Sequence, residues 1–152
     1  MIITVDSNIL LSVFTRDSLY NRSVALLEKY SIHEYVINDC IFLELAVHFD
    51  NLAELNKYIN TLEIRLIEEY ENKYDEIVTA WMHYLKKKKF VCPACKKEIN
   101  PVCPQCHQRL TFRQRILTDF LIGGFALANS NGIITLDPSY YKNYFPQLKI
   151  LE

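Results

Sequence analysis

Short β-branched apolar runs alternate along this chain with longer segments whose apolar positions recur every three or four residues, the alternation expected of strands feeding crossover helices. Ile2 to Val5 is the first run, and it ends at Asp6-Ser7-Asn8 ahead of the apolar stretch Ile9 to Phe14. That reads as strand, turn and helix, with Ser7 or Asn8 capping the helix because its first turn has N–H groups without partners. A second helix is predicted over Tyr20 to Tyr30, where Val24, Leu27 and Tyr30 share a face, and a short strand over Tyr35 to Ile37. Asn38 or Asp39 then caps a helix from Cys40 to about Phe49 with Phe42, Leu45, Ala46 and Phe49 as its apolar stripe. Leu52 to Ile59 and Ile64 to Ile67 read as helix and strand. Glu69 to Lys89 is helical in pattern, with Tyr70, Tyr74, Ile77, Val78, Trp81 and Leu85 on one side and a terminal lysine run that suits the helix dipole. Periodicity resumes near Phe112 and runs to Asn129, Gly132 closes it, and Ile133 to Leu136 and Leu148 to Leu151 are the last two strands. Strands separated by helices imply an α/β fold with a mostly parallel sheet covered on both sides.

A chain of 152 residues, half of them apolar, is long enough for one real core and too short for two ordinary domains, so a single domain over residues 1–152 is expected. There is no run of about 18 apolar residues, and Met1 to Asp6 lacks a basic segment followed by an apolar block. Neither a membrane span nor a signal peptide is indicated, and a soluble cytoplasmic protein is expected.

Residues 90–111 break the pattern, because Pro93, Pro101 and Pro104 interrupt periodicity and no apolar face develops. A loop of that length needs something other than a core to hold it. Cys92-Pro93-Ala94-Cys95 and Cys103-Pro104-Gln105-Cys106 supply a candidate: two C-x-x-C turns whose thiolates match the tetrahedral demand of one structural Zn²⁺. A redox pair is the alternative reading, iron fits the same four-sulfur cage, and His107 adjoins the last cysteine as a possible substitute ligand. Cys40, alone among apolar residues, reads as a buried thiol. Nine basic side chains stand against Glu98 alone between residues 86 and 118, so that window carries +8 in a chain of net charge −1. A four-thiolate zinc centre, itself about −2, trims this to roughly +6. Such a run is ordinarily a solvated face, but beside a phosphodiester-cleaving site Lys96, Lys97, Arg109 and Arg113 would meet the phosphates of a nucleic acid.

Four carboxylates occupy positions that local structure does not require. Asp6 ends the first strand, Glu44 sits in an apolar helical stretch, Asp119 interrupts the late helix, and Asp137 follows the strand at Ile133 to Leu136. Singly, each has an ordinary reading as a turn, cap or surface residue. If the strands are parallel, however, Asp6 and Asp137 share one end of the sheet, where ligands of open α/β folds collect. Carboxylates gathered within about 4 to 6 Å repel one another by a few kcal/mol per pair at an effective dielectric near 20. A divalent cation removes that cost, and an all-oxygen site suits Mg²⁺ or Mn²⁺, whose natural chemistry here is phosphodiester hydrolysis. Gly123-Gly124 in the late helix costs roughly 0.5 to 1 kcal/mol per glycine, which argues for close approach: Gly124 to the sheet, Gly123 to open space above Asp119.

Val5-Asp6-Ser7-Asn8-Ile9-Leu10, Phe42-Leu43-Glu44-Leu45, Leu117-Thr118-Asp119-Phe120-Leu121-Ile122 and Ile134-Thr135-Leu136-Asp137 together resemble, in order and spacing, the small VapC-like PIN-domain nucleases. The resemblance spans nearly all of the chain outside residues 90–111, including its ending at Tyr144 to Ile150. It implies a three-layer α/β/α sandwich in which Asp6, Glu44, Asp119 and Asp137 hold one or two Mg²⁺ or Mn²⁺ ions for RNA cleavage. It implies further that Thr135 orients Asp137 or a metal-bound water and that Ser7 and Asn8 buttress the loop after Asp6. Gly123-Gly124 and Pro138 depart from the family pattern, and the cysteine insertion is not typical of VapC-like toxins. It is similar instead to zinc ribbons carried by some PIN nucleases of ribosomal RNA processing, where the ribbon usually follows the domain. The expected protein is thus an endoribonuclease, a toxin pairing with a small antitoxin and forming a homodimer. Processing of ribosomal or other structured RNA, or a non-catalytic RNA-binding module on a PIN fold, are the alternatives.

Overall fold

In the computed structural model, which describes residues 1–87, 90–92, 94–108 and 117–152, the first strand, β1 (Ile2–Val5), runs through the middle of a sheet and is covered on both faces. Ile3, Thr4 and Val5 are fully buried, which is why the run is apolar and β-branched throughout rather than alternating. It leads into α1 (Ser7–Thr15), α2 (Tyr20–Lys29) and β2 (Glu34–Ile37), then α3 (Asp39–Ala46), α4 (Leu52–Thr61) and β3 (Ile64–Leu66). Asn38 and Asn51 cap α3 and α4, accepting from Ile41 N–H at 3.0 Å and Glu54 N–H at 3.1 Å. Next come α5 (Tyr74–Lys87), a two-stranded hairpin of β4 (Phe90–Val91) and β5 (Glu98–Ile99), α6 (Leu117–Asn129), β6 (Ile133–Ile134), α7 (Pro138–Tyr144) and β7 (Ile150–Leu151).

The main sheet has the order β3-β2-β1-β6-β7, and every pairing in it is parallel. Helices flank it, so the architecture is the α/β sandwich expected. β1 and β6 are neighbours in register Thr4 to Ile133 and Val5 to Ile134, so the residues following them emerge side by side. Leucine, isoleucine and aromatic side chains from the helices close the core, with Phe120 touching the rings of Trp81, Tyr84, Tyr140 and Tyr144. No helix of the described residues is long and apolar enough to cross a membrane.

Several local expectations are corrected. The helix expected from Glu69 begins at Tyr74, because Tyr70 leaves the axis to donate to Asp39 and pack edge-on against Phe125. Its buried face is Ile77, Ala80 and Tyr84, while Tyr74 and Val78 lie exposed. Helix α7 is not among the elements expected from residue spacing, although Asp137 and Pro138 form a cap and first-turn pair that announces one. The glycine pair is also reassigned. A Cβ on Gly124 would come within 2.3 Å of Ile77 on α5, and one on Gly123 within 2.3 Å of the Phe145 ring. Both glycines therefore serve helix packing, Gly124 against α5 rather than the sheet and Gly123 beneath an aromatic ring rather than open space.

Candidate active site

Asp6 is the centre of the polar cluster at the carboxyl end of β1. It stands at the N-cap of α1 but makes no side-chain capping bond, and Ser7 and Asn8 fall inside the helix instead of capping it. Their side chains are turned to the acids. Asn8 Nδ2 donates to Asp6 Oδ2 at 2.8 Å and to Thr135 Oγ1 at 3.1 Å, while Asn8 Oδ1 accepts from Leu136 N–H at 3.0 Å. Thr135 Oγ1 donates to Asp6 Oδ2 at 2.7 Å and accepts from Asp137 N–H at 3.0 Å. Tyr141, from α7, adds a third donor to Oδ2 at 3.3 Å. Oδ1 meets only the long 3.5 Å contact from Ser7 Oγ among the described residues, and that same hydroxyl donates to Glu44 Oε2 at 2.6 Å. Ser7 thus bridges the acid of β1 and the acid of α3.

Burial dominates the electrostatics. The Asp6 carboxyl is pushed up from 3.8 to about 6 by desolvation, against which the Thr135 hydrogen bond pulls down, and the carboxylates of Glu44 and Asp119 push it higher. Glu44, Asp119 and Thr135 are accordingly each close enough to act on Asp6. Asp137 stands at the same end of the sheet, yet its carboxylate is engaged as the N-cap of α7, accepting from Ser139 Oγ at 2.9 Å and Tyr140 N–H at 3.3 Å. Thr135 therefore positions Asp6 by a direct side-chain bond and meets Asp137 at its backbone N–H. Tyr141 escaped the sequence reading; its signal is the spacing of one helical turn from Asp137, legible only once α7 is recognised. Burial and the Asp6 charge hold its phenol well above the ordinary tyrosine range, so it stays a donor.

Among the described residues no three His, Cys, Asp or Glu side chains already stand around a common point as metal ligands would. The cluster nonetheless fits a divalent cation by charge. A carboxyl driven towards neutrality by burial, and further by two neighbouring carboxylates, is relieved by positive charge, and oxygen donors select hard ions. Beside Glu44 lies an apolar groove of about 510 Å³ lined by Leu11, Cys40, Leu43, Val47, His48 and Thr118. Leu43 and Val47 on its rim are 63% and 80% exposed. Cys40 is half-buried, not buried as expected, and burial pushes its thiol up to about 11.

The cysteine segment lies in the chain between α5 and α6. Its cysteines are free thiols, and Lys96 and Lys97 are exposed on the hairpin, while Arg109 and Arg113 lie outside the described residues. Cys92 and Cys103 are each held below the ordinary thiol range, chiefly by the backbone N–H groups of Cys95 and Cys106.

No family model matches the chain, and no curated protein matches it in sequence. Among solved structures, one chain of the crystal structure of VapBC2 from Rickettsia felis bound to a DNA fragment from their promoter superposes with a TM-score of 0.56. The match covers 99% of this chain and 97% of that one at 15% identity. What the two share at that identity is the fold, a PIN-like α/β sandwich around a parallel sheet.

Proposed function

We propose that this protein is a Mg²⁺- or Mn²⁺-dependent endoribonuclease. The observation that carries the reading is Asp6: a buried acid at the end of a central parallel strand, with three donors on Oδ2 and two further carboxylates acting on it. A cluster of that kind is unfavourable without a cation, so its persistence argues for one. Asp6 through Oδ1, Glu44 and Asp119 would hold the ion, with Asp137 as the fourth acid of the set. When bound, it supplies a nucleophilic water at neutral pH and charge to offset that developing on the phosphate. The chain's own residues do the rest. Asn8, Thr135 and Tyr141 fix one face of Asp6 so that the other is presented, Ser7 couples Glu44 to it, and Lys96 and Lys97 attract phosphates electrostatically.

The biological setting we infer is a toxin held by a small antitoxin, a reading supported by the fold shared with a VapBC2 chain. Leu43 and Val47, exposed beside Glu44, offer an apolar surface from which such a partner would also cover the acids. Pairing of two copies through helices belongs to the same reading. Incubating labelled RNA with the protein in Mg²⁺, in EDTA, and with Asp119→Asn tests the activity. Cleavage should require the metal and vanish in the variant. RNA binding without metal-dependent cleavage would leave only a non-catalytic module.

A further inference from the structure

The cysteine segment contains two turns of matching backbone geometry. In the first, Lys96 N–H donates to Cys92 O at 2.8 Å and Cys92 N–H donates to Lys97 O at 2.8 Å. In the second, His107 N–H donates to Cys103 O at 2.9 Å and Cys103 N–H donates to Gln108 O at 2.9 Å. The residue after each second cysteine is left-handed, with φ 60° at Lys96 and 56° at His107. Neither residue is glycine, so each turn carries a strained position in the same place. Two segments of different sequence adopt the same strained turn, and what they share is a pair of cysteines and the proline after the first.

We propose that the two turns are the halves of a single tetrathiolate Zn²⁺ site, each half preformed as a two-sulfur clamp and the pair closed onto the ion when it binds. Cys92 and Cys95 supply one edge of the tetrahedron, Cys103 and Cys106 the other. On binding, the thiols release their protons to solvent and the sulfurs take the metal's four positions, leaving no place for a substrate. The site is structural. Among the described residues of the segment, the apolar side chains of Ile99 and Val102 are 45% and 51% exposed. This proposal is independent of the nuclease reading.

The test uses the full chain, purified without chelator, with metal content, Co²⁺ absorption and thiol titration as readouts. Expected are one zinc per chain and, after exchange, the intense visible bands of tetrahedral tetrathiolate cobalt. The four sulfurs should resist a thiol reagent until EDTA is added. Cys92→Ser/Cys95→Ser and Cys103→Ser/Cys106→Ser should each abolish tight binding, since either leaves only two ligands, and the circular dichroism of the sheet domain should report that the rest stays folded. Retention of the metal by either variant would overturn the proposal. So would a wild-type chain that takes up no Zn²⁺ or Co²⁺, or one whose cysteines close into Cys92–Cys95 and Cys103–Cys106 disulfides that cycle with a dithiol.

Discussion

Replacing Asp6 with asparagine should stabilise the metal-free protein at neutral pH. The Asp6 carboxyl is raised from 3.8 to about 6 in the fold, chiefly by burial. An acid with a raised folded pKa keeps its proton in the native state where the unfolded chain has already released it. Stability therefore falls as pH rises from about 4 to about 6 and then levels. A shift of about 2 units at about 1.4 kcal/mol per unit makes the loss about 3 kcal/mol at pH 7. Asparagine mimics the protonated acid, and its carbonyl oxygen can accept from Asn8, Thr135 and Tyr141 as Oδ2 does now. Urea unfolding in EDTA, run from pH 4 to pH 8, should show Asp6→Asn nearly equal to wild type at pH 4 and about 3 kcal/mol more stable at pH 7. Saturating Mn²⁺ should reverse that order, because the ion stabilises only the ionised wild-type site. Parallel pH profiles for the two proteins in EDTA would refute the reasoning, since no other residue replaced in this comparison titrates in the window.

Tyr141→Phe removes a donor that lowers the Asp6 pKa, so it should cost about 1 kcal/mol at pH 7 and move the stability fall to higher pH, as seen in the same unfolding series. Gly123→Ala forces the buried Phe145 ring aside. It should cost roughly 1–3 kcal/mol in thermal unfolding, even though alanine is the better helix former, and less in a Phe145→Leu background. Ser7→Ala breaks the bridge to Glu44 and should weaken Mn²⁺ binding in calorimetry by several-fold while the apo fold survives. Chelation of Mg²⁺ should abolish RNA cleavage, and Asp119→Asn should do so with the metal present.

Much of this fold could be read directly from residue spacing. β1 is short and β-branched because both faces are covered, and Asn38, one of the two residues expected to cap α3, does so. The acids could be placed at one end of the sheet because parallel strands fix where Asp6 and Asp137 emerge. What spacing left undetermined was how each acid is held. Ser7 and Asn8 suit a helix cap by residue type, and only the approach of Thr135 and Glu44 from distant parts of the chain turns them towards Asp6. The same holds for Asp137, whose capping role depends on α7, a helix of seven residues with too few apolar positions for a period to show. The glycine pair announced close contact but not its partner, since Ile77 and Phe145 are brought there by tertiary packing alone.

The order of the sheet has a consequence for how such a protein can change over time. The chain between β3 and β6 is one excursion, from an edge strand back to the neighbour of β1, and its described residues contribute no strand to the main sheet. Material can be spliced into that excursion, as the cysteine segment is, without shifting a single ladder of the main sheet. Asp6 and Glu44 are placed by β1 and α3, which precede the excursion, and Asp119 by α6, which follows the cysteine segment. A different arm between α5 and α6 could thereby replace the present one with the register of the main sheet left as it is.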